Sequence, residues 1–186
     1  MRFGLIGHPI EHSLSPALFK AGYDGMYPYD LIITEDFEEA YKRFLEGYDG
    51  INVTAPFKEL ALRKADIISE ECRLVGATNL LIKTPEGIAA YNSDFRGLVA
   101  MFRGLKGGEK TVLIVGAGGA GKAAKAAAEA MGYETTVINR TQYNPEIKPL
   151  SAFKEEFRKA DIVIYNLPVR LPEIDLMTEA DLCPGK

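Results

Sequence analysis

The sequence has 186 residues, of which 47% are hydrophobic and 26% are charged, as is ordinary for a globular protein of one generous or two small domains. Its formal net charge of −4, without a run of Lys or Arg, argues against nucleic acid as a partner. No apolar stretch has the length of a membrane span or of a signal peptide, and Cys72 and Cys183 fit no metal or disulfide pattern. We therefore expect a cytoplasmic protein that binds neither a membrane nor a metal.

Strand-like and helix-like segments alternate through the first half of the chain. The hydrophobic spacing predicts strands at 3–6, 29–33 and 50–54, helices at 37–45 and 60–68, and a hairpin made of 80–82 and 88–91. A further helix opens at Ser15-Pro16, because proline suits the first helical position and serine suits the cap before it. Residues 84–87, Thr-Pro-Glu-Gly, have the chemistry of a hairpin turn.

A second series of segments begins near residues 105–108. Strands are predicted at 111–115, 135–138 and 162–165, and helices at 122–131 and 153–159. This alternation is typical of parallel βαβ units. We therefore expect an α/β protein of two domains, an N-terminal domain (1–104) with a mostly parallel sheet and a Rossmann-like dinucleotide-binding domain (105–186). The turn-like residues 183–186 suggest that another strand should follow.

The glycine-rich residues 116–121 fit the pattern G-x-G-x-x-G between a buried strand and a helix. In that context Gly116 makes a tight turn, Gly118 lets backbone N–H groups approach a pyrophosphate, and Gly121 allows close helix–strand packing. The helix N-terminus adds partial positive charge. A dinucleotide site is favoured over a plain strand-to-helix turn.

The same residues nearly form a nucleoside-triphosphate P-loop. Gly116 is followed at the right distance by Gly121 and Lys122, but Ala123 lacks the hydroxyl that would bind Mg²⁺. The strand at 162–165 runs into Asn166 and not into a metal-binding acid. We rank this alternative well below the dinucleotide site.

The end of the next strand indicates which dinucleotide binds. An NAD site usually carries an acid there, whereas an NADP site carries an arginine for the 2′-phosphate. The sequence has Asn139, Arg140 and Thr141 at this place, and no acid. A guanidinium can bind a phosphate bidentately, so NADP(H) is the favoured cofactor, although Arg140 could also be a solvated loop residue.

Polar residues also follow the predicted strands of the first domain. They lie at 13–16, 52–58 and 92–94, where a ligand of an α/β sheet usually binds. Hydroxyls, amides, an amine and a carboxylate would suit a polyhydroxylated acid. Each also has a simpler interpretation, since Ser15 or Asp94 could only cap a helix and Lys58 could be a solvated lysine.

Six motifs in the same order resemble those of the shikimate dehydrogenase family. They are GHPIEHSLSP at 7–16, GINVTAPFK at 50–58, GATN at 76–79, YNSD at 91–94, GAGGA at 116–120 and NRT at 139–141. The resemblance extends from residue 4 to about residue 168 and implies an enzyme that reduces 3-dehydroshikimate to shikimate with NADPH, in chorismate and aromatic amino-acid biosynthesis. A quinate/shikimate dehydrogenase using NAD or NADP, or a non-catalytic shikimate-binding module, remains an alternative. A monomer or a homodimer is expected.

The resemblance also implies roles for individual residues. Lys58 and Asp94 would be the catalytic pair, and Ser13 and Ser15 would hold the substrate carboxylate. The substrate's ring hydroxyls would be bound by Thr54, Asn79 and Asp94. The cofactor's pyrophosphate would be bound by Gly116, Ala117, Gly118, Gly119 and Ala120. Its 2′-phosphate would be bound by Asn139, Arg140 and Thr141.

The chain departs from the family pattern in several places. Phe19-Lys20 stands where His-Asn is usual, and Asn166-Leu167-Pro168 where Asn-(Ala/Thr)-Thr-Pro is usual. The segment after Thr141 is shorter than usual. The family's last strands, a substrate-contacting glutamine and a returning helix have no counterpart, so we expect a chain without the C-terminal portion.

Overall fold

The computed structural model describes residues 1–108 and 110–167, which form two compact units. The first unit comprises residues 1–93, and the second begins at Asp94. The predicted boundary at 104/105 follows a helix, Ser93–Arg103, that lies in the second unit except for its first residue. The predicted turn at 183–186, together with Cys183, lies outside the described residues.

Strands and helices alternate in the first unit, as the hydrophobic spacing predicts. Its elements are β1 (Phe3–Gly7), α1 (Ser15–Gly22), β2 (Tyr29–Ile33), α2 (Phe37–Gly47), β3 (Gly50–Val53), α3 (Lys58–Arg63), β4 (Ile67–Ile68), α4 (Glu70–Val75), β5 (Leu80–Thr84) and β6 (Gly87–Tyr91). The sheet order is β2-β1-β3-β5-β6-β4. β2-β1, β1-β3 and β4-β6 are parallel, whereas β3-β5 and β5-β6 are antiparallel. The expected mostly parallel sheet is confirmed.

The predicted hairpin is formed by β5 and β6. Thr84 pairs with Gly87, so Pro85 and Glu86 make the turn. Gly87 has φ +128°, a conformation that favours glycine. The turn chemistry of the sequence therefore predicted the two strands of the hairpin correctly.

The predicted helix at 60–68 is wrong in its second half. α3 ends at Arg63, and Ile67 and Ile68 form β4, which pairs with Ala89 and Ala90 of β6. Asp66 secures this pairing, because its N–H donates to the Ile88 carbonyl at 2.9 Å and its carboxylate accepts the Ile88 N–H at 2.8 Å. Apolar residues at this spacing suit both a helix and a strand. The free edge of the sheet offered a pairing partner, which favoured the strand.

The second unit is a parallel sheet with helices on both faces. Its elements are α5 (Ser93–Arg103), β7 (Thr111–Val115), α6 (Gly119–Ala130), β8 (Glu134–Asn139), β9 (Lys148–Pro149), a 3₁₀ turn (Leu150–Ala152), α7 (Phe153–Lys159) and β10 (Ile162–Tyr165). The strand order is β10-β7-β8-β9 and every pairing is parallel. This is the order of the first four strands of a Rossmann fold, as expected.

The central strand β7 is buried on both of its faces. Val112 and Ile114 pack with α5 and α6, whereas Leu113 and Val115 pack with Phe153 of α7. Successive side chains of a strand point to opposite faces, so an uninterrupted apolar run is required here. None of the helices in the described part of the chain is long and apolar enough to span a bilayer.

Glu156 is a buried carboxylate in this unit, with 5% of its surface exposed. Lys148 and Lys159 place their Nζ atoms 3.0 and 3.1 Å from its Oε1. Burial opposes ionisation, but the hydrogen bonds from the two lysines outweigh it and hold the pKa of Glu156 below its ordinary value. A lowered pKa in the folded state means that the ionised carboxylate stabilises the fold.

Replacing Glu156 with Gln should lower the free energy of unfolding by about 1–2 kcal/mol at neutral pH, the scale of a hydrogen bond to a charged group. The loss should be complete above the ordinary pKa of 4.5 and should fade as the pH falls through the lowered pKa. Urea unfolding of both proteins from pH 7 to pH 3 measures this. Exposed Glu155→Gln is the matched control, and an equal loss for Glu156→Gln at both pH extremes would contradict the assignment.

Candidate active site

The C-terminal ends of β1, β3 and β6 lie at one edge of the first sheet. β1 and β3 are parallel, and β6 runs in the same direction because two successive antiparallel pairings separate it from β3. Asn52 and Thr54 at the end of β3 and Ser93 after β6 therefore meet at this edge. The polar residues at the ends of the predicted strands thus converge.

Asn79, which precedes β5, joins these strand ends. Its Oδ1 accepts the Ser93 N–H at 2.8 Å, and its Nδ2 donates to the Ser93 Oγ at 2.8 Å. Its carbonyl accepts hydrogen bonds from Asn52 Nδ2 at 3.3 Å and from the Val53 N–H at 2.9 Å. The predicted substrate residue Asn79 is thus fixed at the site, and Asp94 follows Ser93 directly in the sequence.

Tyr29 of β2 extends this cluster, because its hydroxyl donates to Asn52 Oδ1 at 2.8 Å. We call the connected set of Tyr29, Asn52, Asn79 and Ser93 the polar chain. The two predicted carboxylate-binding serines form a pair of their own, in which the Oγ atoms of Ser13 and Ser15 are 3.1 Å apart.

The Tyr29 phenol stays protonated over the ordinary pH range. Burial raises its pKa to about 12, and the influence of the Ser15 hydroxyl opposes that rise only in part. The rings of Tyr29 and Phe19 are 4.6 Å apart, so the residue that departs from the family's His-Asn pair packs against this tyrosine. The sequence analysis does not identify Tyr29, because a tyrosine at the start of a strand carries no local signal of function.

Ser15 does not cap α1. The helix begins at Ser15 itself, with Leu14 in the capping position. The Ser15 hydroxyl accepts a hydrogen bond from the Ser13 hydroxyl at 3.1 Å instead, and the Ser15 N–H donates to Ser13 Oγ at 3.2 Å. The helix-cap interpretation of this serine is therefore wrong.

Lys58 is the half-buried first residue of α3. The Phe57 N–H donates to the Thr54 carbonyl at 3.0 Å, which closes the turn between β3 and this helix. The Lys58 carbonyl accepts the Thr78 N–H at 3.1 Å, so the backbone of Lys58 is bound to the neighbour of Asn79. Asp94 is the half-buried second residue of α5, and its pairing with Lys58 in catalysis stays a prediction.

The glycine loop of the second unit has the geometry that its sequence predicts. Gly116 follows β7 with φ +101°, and a Cβ at Gly121 would overlap the Gly116 carbonyl oxygen. The helix α6 starts directly after Gly118, and space around Gly118 is open. The helix N-terminus can therefore receive an anionic group, as a pyrophosphate site requires.

The end of β8 lies against this loop. Asn139 Oδ1 accepts the Ala117 N–H at 3.3 Å, and its Nδ2 donates to the Thr141 carbonyl at 2.9 Å. The Asn139 amide thus joins the two segments predicted to bind the cofactor, while Arg140 is exposed. Asn166, beside Gly116, has a buried Nδ2 with no hydrogen-bond partner among the described residues.

The P-loop alternative is not supported by the packing. Ala123 is fully buried, so a hydroxyl at this position would face the core and not a bound nucleotide. Within residues 1–108 and 110–167, no group of three or more His, Cys, Asp or Glu side chains could hold a metal ion.

Comparisons with known proteins find a matching family for each of the two units. Residues 5–81 match the family described as shikimate dehydrogenase substrate binding domain. Residues 90–183 match the NAD binding domain of D-isomer specific 2-hydroxyacid dehydrogenases. The chain is 34% identical over 185 residues to a shikimate dehydrogenase (NADP(+)) of Caldanaerobacter subterraneus, covering 94% of this chain and 66% of that protein.

Solved structures show the same likeness. The crystal structure of shikimate dehydrogenase from Thermotoga maritima has a TM-score of 0.77 at 32% identity, over 92% of this chain and 73% of the other. That of the Thermus thermophilus enzyme in complex with NADP(H) and shikimate has a TM-score of 0.75 at 29% identity, over 90% and 68% of the two chains. The chain spans between 53% and 68% of the length of three curated relatives.

Two glycines of the loop should respond differently to a methyl group. Gly121→Ala forces a clash with the Gly116 backbone and should destabilise the fold by roughly 3 kcal/mol. Gly118→Ala meets open space and should leave the thermal midpoint nearly unchanged, while weakening NADPH binding. Thermal unfolding and NADPH fluorescence titration measure the two effects. Equal stability of both variants would contradict the close helix–strand contact.

Proposed function

Because the chain belongs to the shikimate dehydrogenase family, we propose that it interconverts shikimate and 3-dehydroshikimate with NADP(H). The supporting observation is that Asn79 is held with Asn52 and Ser93 at one edge of the first sheet, while the serines proposed for the carboxylate, Ser13 and Ser15, form a hydrogen-bonded pair. Hydroxyls can donate to a carboxylate, and an amide can both donate to and accept from ring hydroxyls. Thr54 is the further proposed hydroxyl ligand. In the biosynthetic direction the reaction produces shikimate for the aromatic pathway.

Lys58 is the proposed acid of the reducing direction. NADPH, when bound, would supply the hydride, and its transfer would leave developing negative charge on the oxygen of the ring ketone. The Lys58 ammonium stabilises that charge and donates a proton to the oxygen, and the neutral amine accepts the proton in the reverse direction. Asp94 is proposed to bind a ring hydroxyl and so to orient the substrate.

The second unit is proposed to bind NADP(H) at the ends of β7, β8 and β10. Strand order reverses between β7 and β10, which is where α/β sheets bind dinucleotides. The open turn at Gly118 and the N-terminus of α6 would receive the pyrophosphate. Exposed Arg140 would pair with the 2′-phosphate, and the Asn166 amide beside Gly116, whose Nδ2 has no partner within residues 1–108 and 110–167, would offer the cofactor a further donor.

Mixing the protein with NADP⁺ and shikimate should produce NADPH. The rise in NADPH absorbance at 340 nm measures the rate of the reaction. Lys58→Ala should lower kcat by roughly a thousandfold, because the developing oxyanion loses both its charge partner and its proton donor. Lys42→Ala, an exposed lysine of the same unit, is the matched control and should keep full activity.

The outcome of this assay separates the candidate functions. A rate with NAD⁺ and quinate that exceeds the rate with shikimate would identify a quinate dehydrogenase. Calorimetric binding of shikimate without turnover would indicate a binding module. Full activity of Lys58→Ala would remove this lysine from the mechanism.

Arg140→Ala should raise KM for NADP⁺ by about thirtyfold, as expected for a lost charge-assisted pair with a phosphate. KM for NAD⁺, which lacks the 2′-phosphate, should stay the same and serves as the internal control. Steady-state kinetics with both cofactors measures the ratio. Equal changes in KM for the two cofactors would show that Arg140 does not bind the 2′-phosphate.

A further inference from the structure

We propose that Thr78 is a positioning residue of the substrate site, whose buried hydroxyl holds Asn79 beside Ser93 and so in place for a ring hydroxyl of the substrate. The inference rests on the proposed function, because it concerns the same site. It adds to that function a residue to which the sequence analysis assigns no role.

The Thr78 hydroxyl connects two segments of the site that are separated in sequence. Its single proton can go to the Tyr91 carbonyl at 2.7 Å or to the Leu80 carbonyl at 2.9 Å. Its oxygen accepts the Leu80 N–H at 3.2 Å. Asn79 lies between Thr78 and Leu80, and Ser93 follows Tyr91 by two residues. The hydroxyl therefore fixes the backbone around Asn79 to the end of β6.

The Tyr91 carbonyl also accepts a backbone hydrogen bond from this segment, and that bond is long. The Asn79 N–H donates to it at 3.3 Å, beyond the usual N–H···O distance of about 2.9–3.0 Å. The Thr78 hydroxyl, at 2.7 Å, lies at the usual distance for an O–H···O bond. The hydroxyl therefore contributes more than the backbone bond to holding this segment at the end of β6.

Burial makes the position of Asn79 sensitive to this hydroxyl. Thr78 has 0% of its surface exposed, so solvent does not compete for its hydrogen bonds. The Asn79 side chain is also buried, and it meets the N–H and the hydroxyl of Ser93 at 2.8 Å each. The Asn79 member of the polar chain is thus oriented by Ser93 from one side and by the backbone that Thr78 fixes from the other.

A second contact of Thr78 separates substrate binding from the chemical step. Its N–H donates to the Lys58 carbonyl at 3.1 Å. A change of the Thr78 side chain leaves this N–H in place, so the proposed acid Lys58 keeps its backbone contact. Loss of the hydroxyl should therefore weaken binding of the ring while the proton transfer is retained.

The experiment compares Thr78→Val with Thr78→Ser in the NADP⁺ and shikimate assay. Valine keeps the branched shape of threonine without its hydroxyl, whereas serine keeps the hydroxyl without the methyl group. Thr84→Val is the matched control, because Thr84 belongs to the same strand and donates its hydroxyl to the Gly87 carbonyl at 2.9 Å, at the hairpin turn.

For Thr78→Val we expect about a tenfold rise in KM for shikimate, with kcat and KM for NADP⁺ unchanged. The reason is that Asn79 would bind the ring equally in the ground state and in the transition state, so its displacement costs both the same. Thr78→Ser and Thr84→Val should keep the KM of the wild type.

A merely structural role of Thr78 would give a different pattern. Thr78→Ser loses a buried methyl group and should be less stable than the wild type, so a KM that followed stability would rise in this variant too. Equal rises of KM in the serine and valine variants would overturn the proposal. So would an unchanged KM in Thr78→Val, or a Thr78→Val chain that does not fold.

A double-mutant cycle shows whether Thr78 acts through Asn79. If it does, Thr78→Val should lower kcat/KM for shikimate much less in an Asn79→Ala background than in the wild type. The same factor in both backgrounds would show that the hydroxyl acts independently of Asn79 and would contradict the inference.

Failure of this inference can be told apart from failure of the proposed function. An active wild type whose Thr78→Val variant has an unchanged KM would overturn only the role of Thr78. If the wild type binds shikimate without turnover, the same ratios are measured as Kd in calorimetry, and they test Thr78 although the enzymatic function has failed. A wild type that neither turns over shikimate nor binds it would overturn both proposals together.

Discussion

The hydrogen bonds of Asn79 hold the candidate substrate site together. Its side chain binds both the N–H and the hydroxyl of Ser93, and its carbonyl receives Asn52 and Val53. These contacts join β3 to the start of α5, which are far apart in sequence. A buried amide must satisfy its donors and acceptors, so a substitution here would release the N–H and the hydroxyl of Ser93. The position of Ser93 therefore depends on the Asn79 side chain.

A steric constraint has the corresponding role in the second unit. Gly121 lies so close to the Gly116 carbonyl that no side chain fits, which lets α6 approach the end of β7. Asn139 then connects the resulting loop to the end of β8. The candidate cofactor site is therefore built from backbone groups, and few side chains are needed to shape it.

Local sequence patterns predicted those parts of the molecule whose geometry depends on residues close together in the sequence. The hairpin of β5 and β6, the glycine loop and the alternation of strands and helices are of this kind. The helix predicted at 60–68 failed because its apolar residues satisfied two periodicities, and pairing with β6 favoured a strand. Ser15 was assigned two roles from sequence, and the start of α1 at Ser15 itself excluded the helix cap.

The sequence by itself determined the fold class, the glycine turn and the order of motifs that resemble the family. Each of these depends on residue types at short spacing, which backbone sterics and hydrogen bonding convert directly into local structure. Only the tertiary structure decided that Tyr29 donates to Asn52 and that two lysines favour the ionised form of buried Glu156. Such contacts join residues from separate elements, and their geometry depends on strand order and packing that no local pattern encodes.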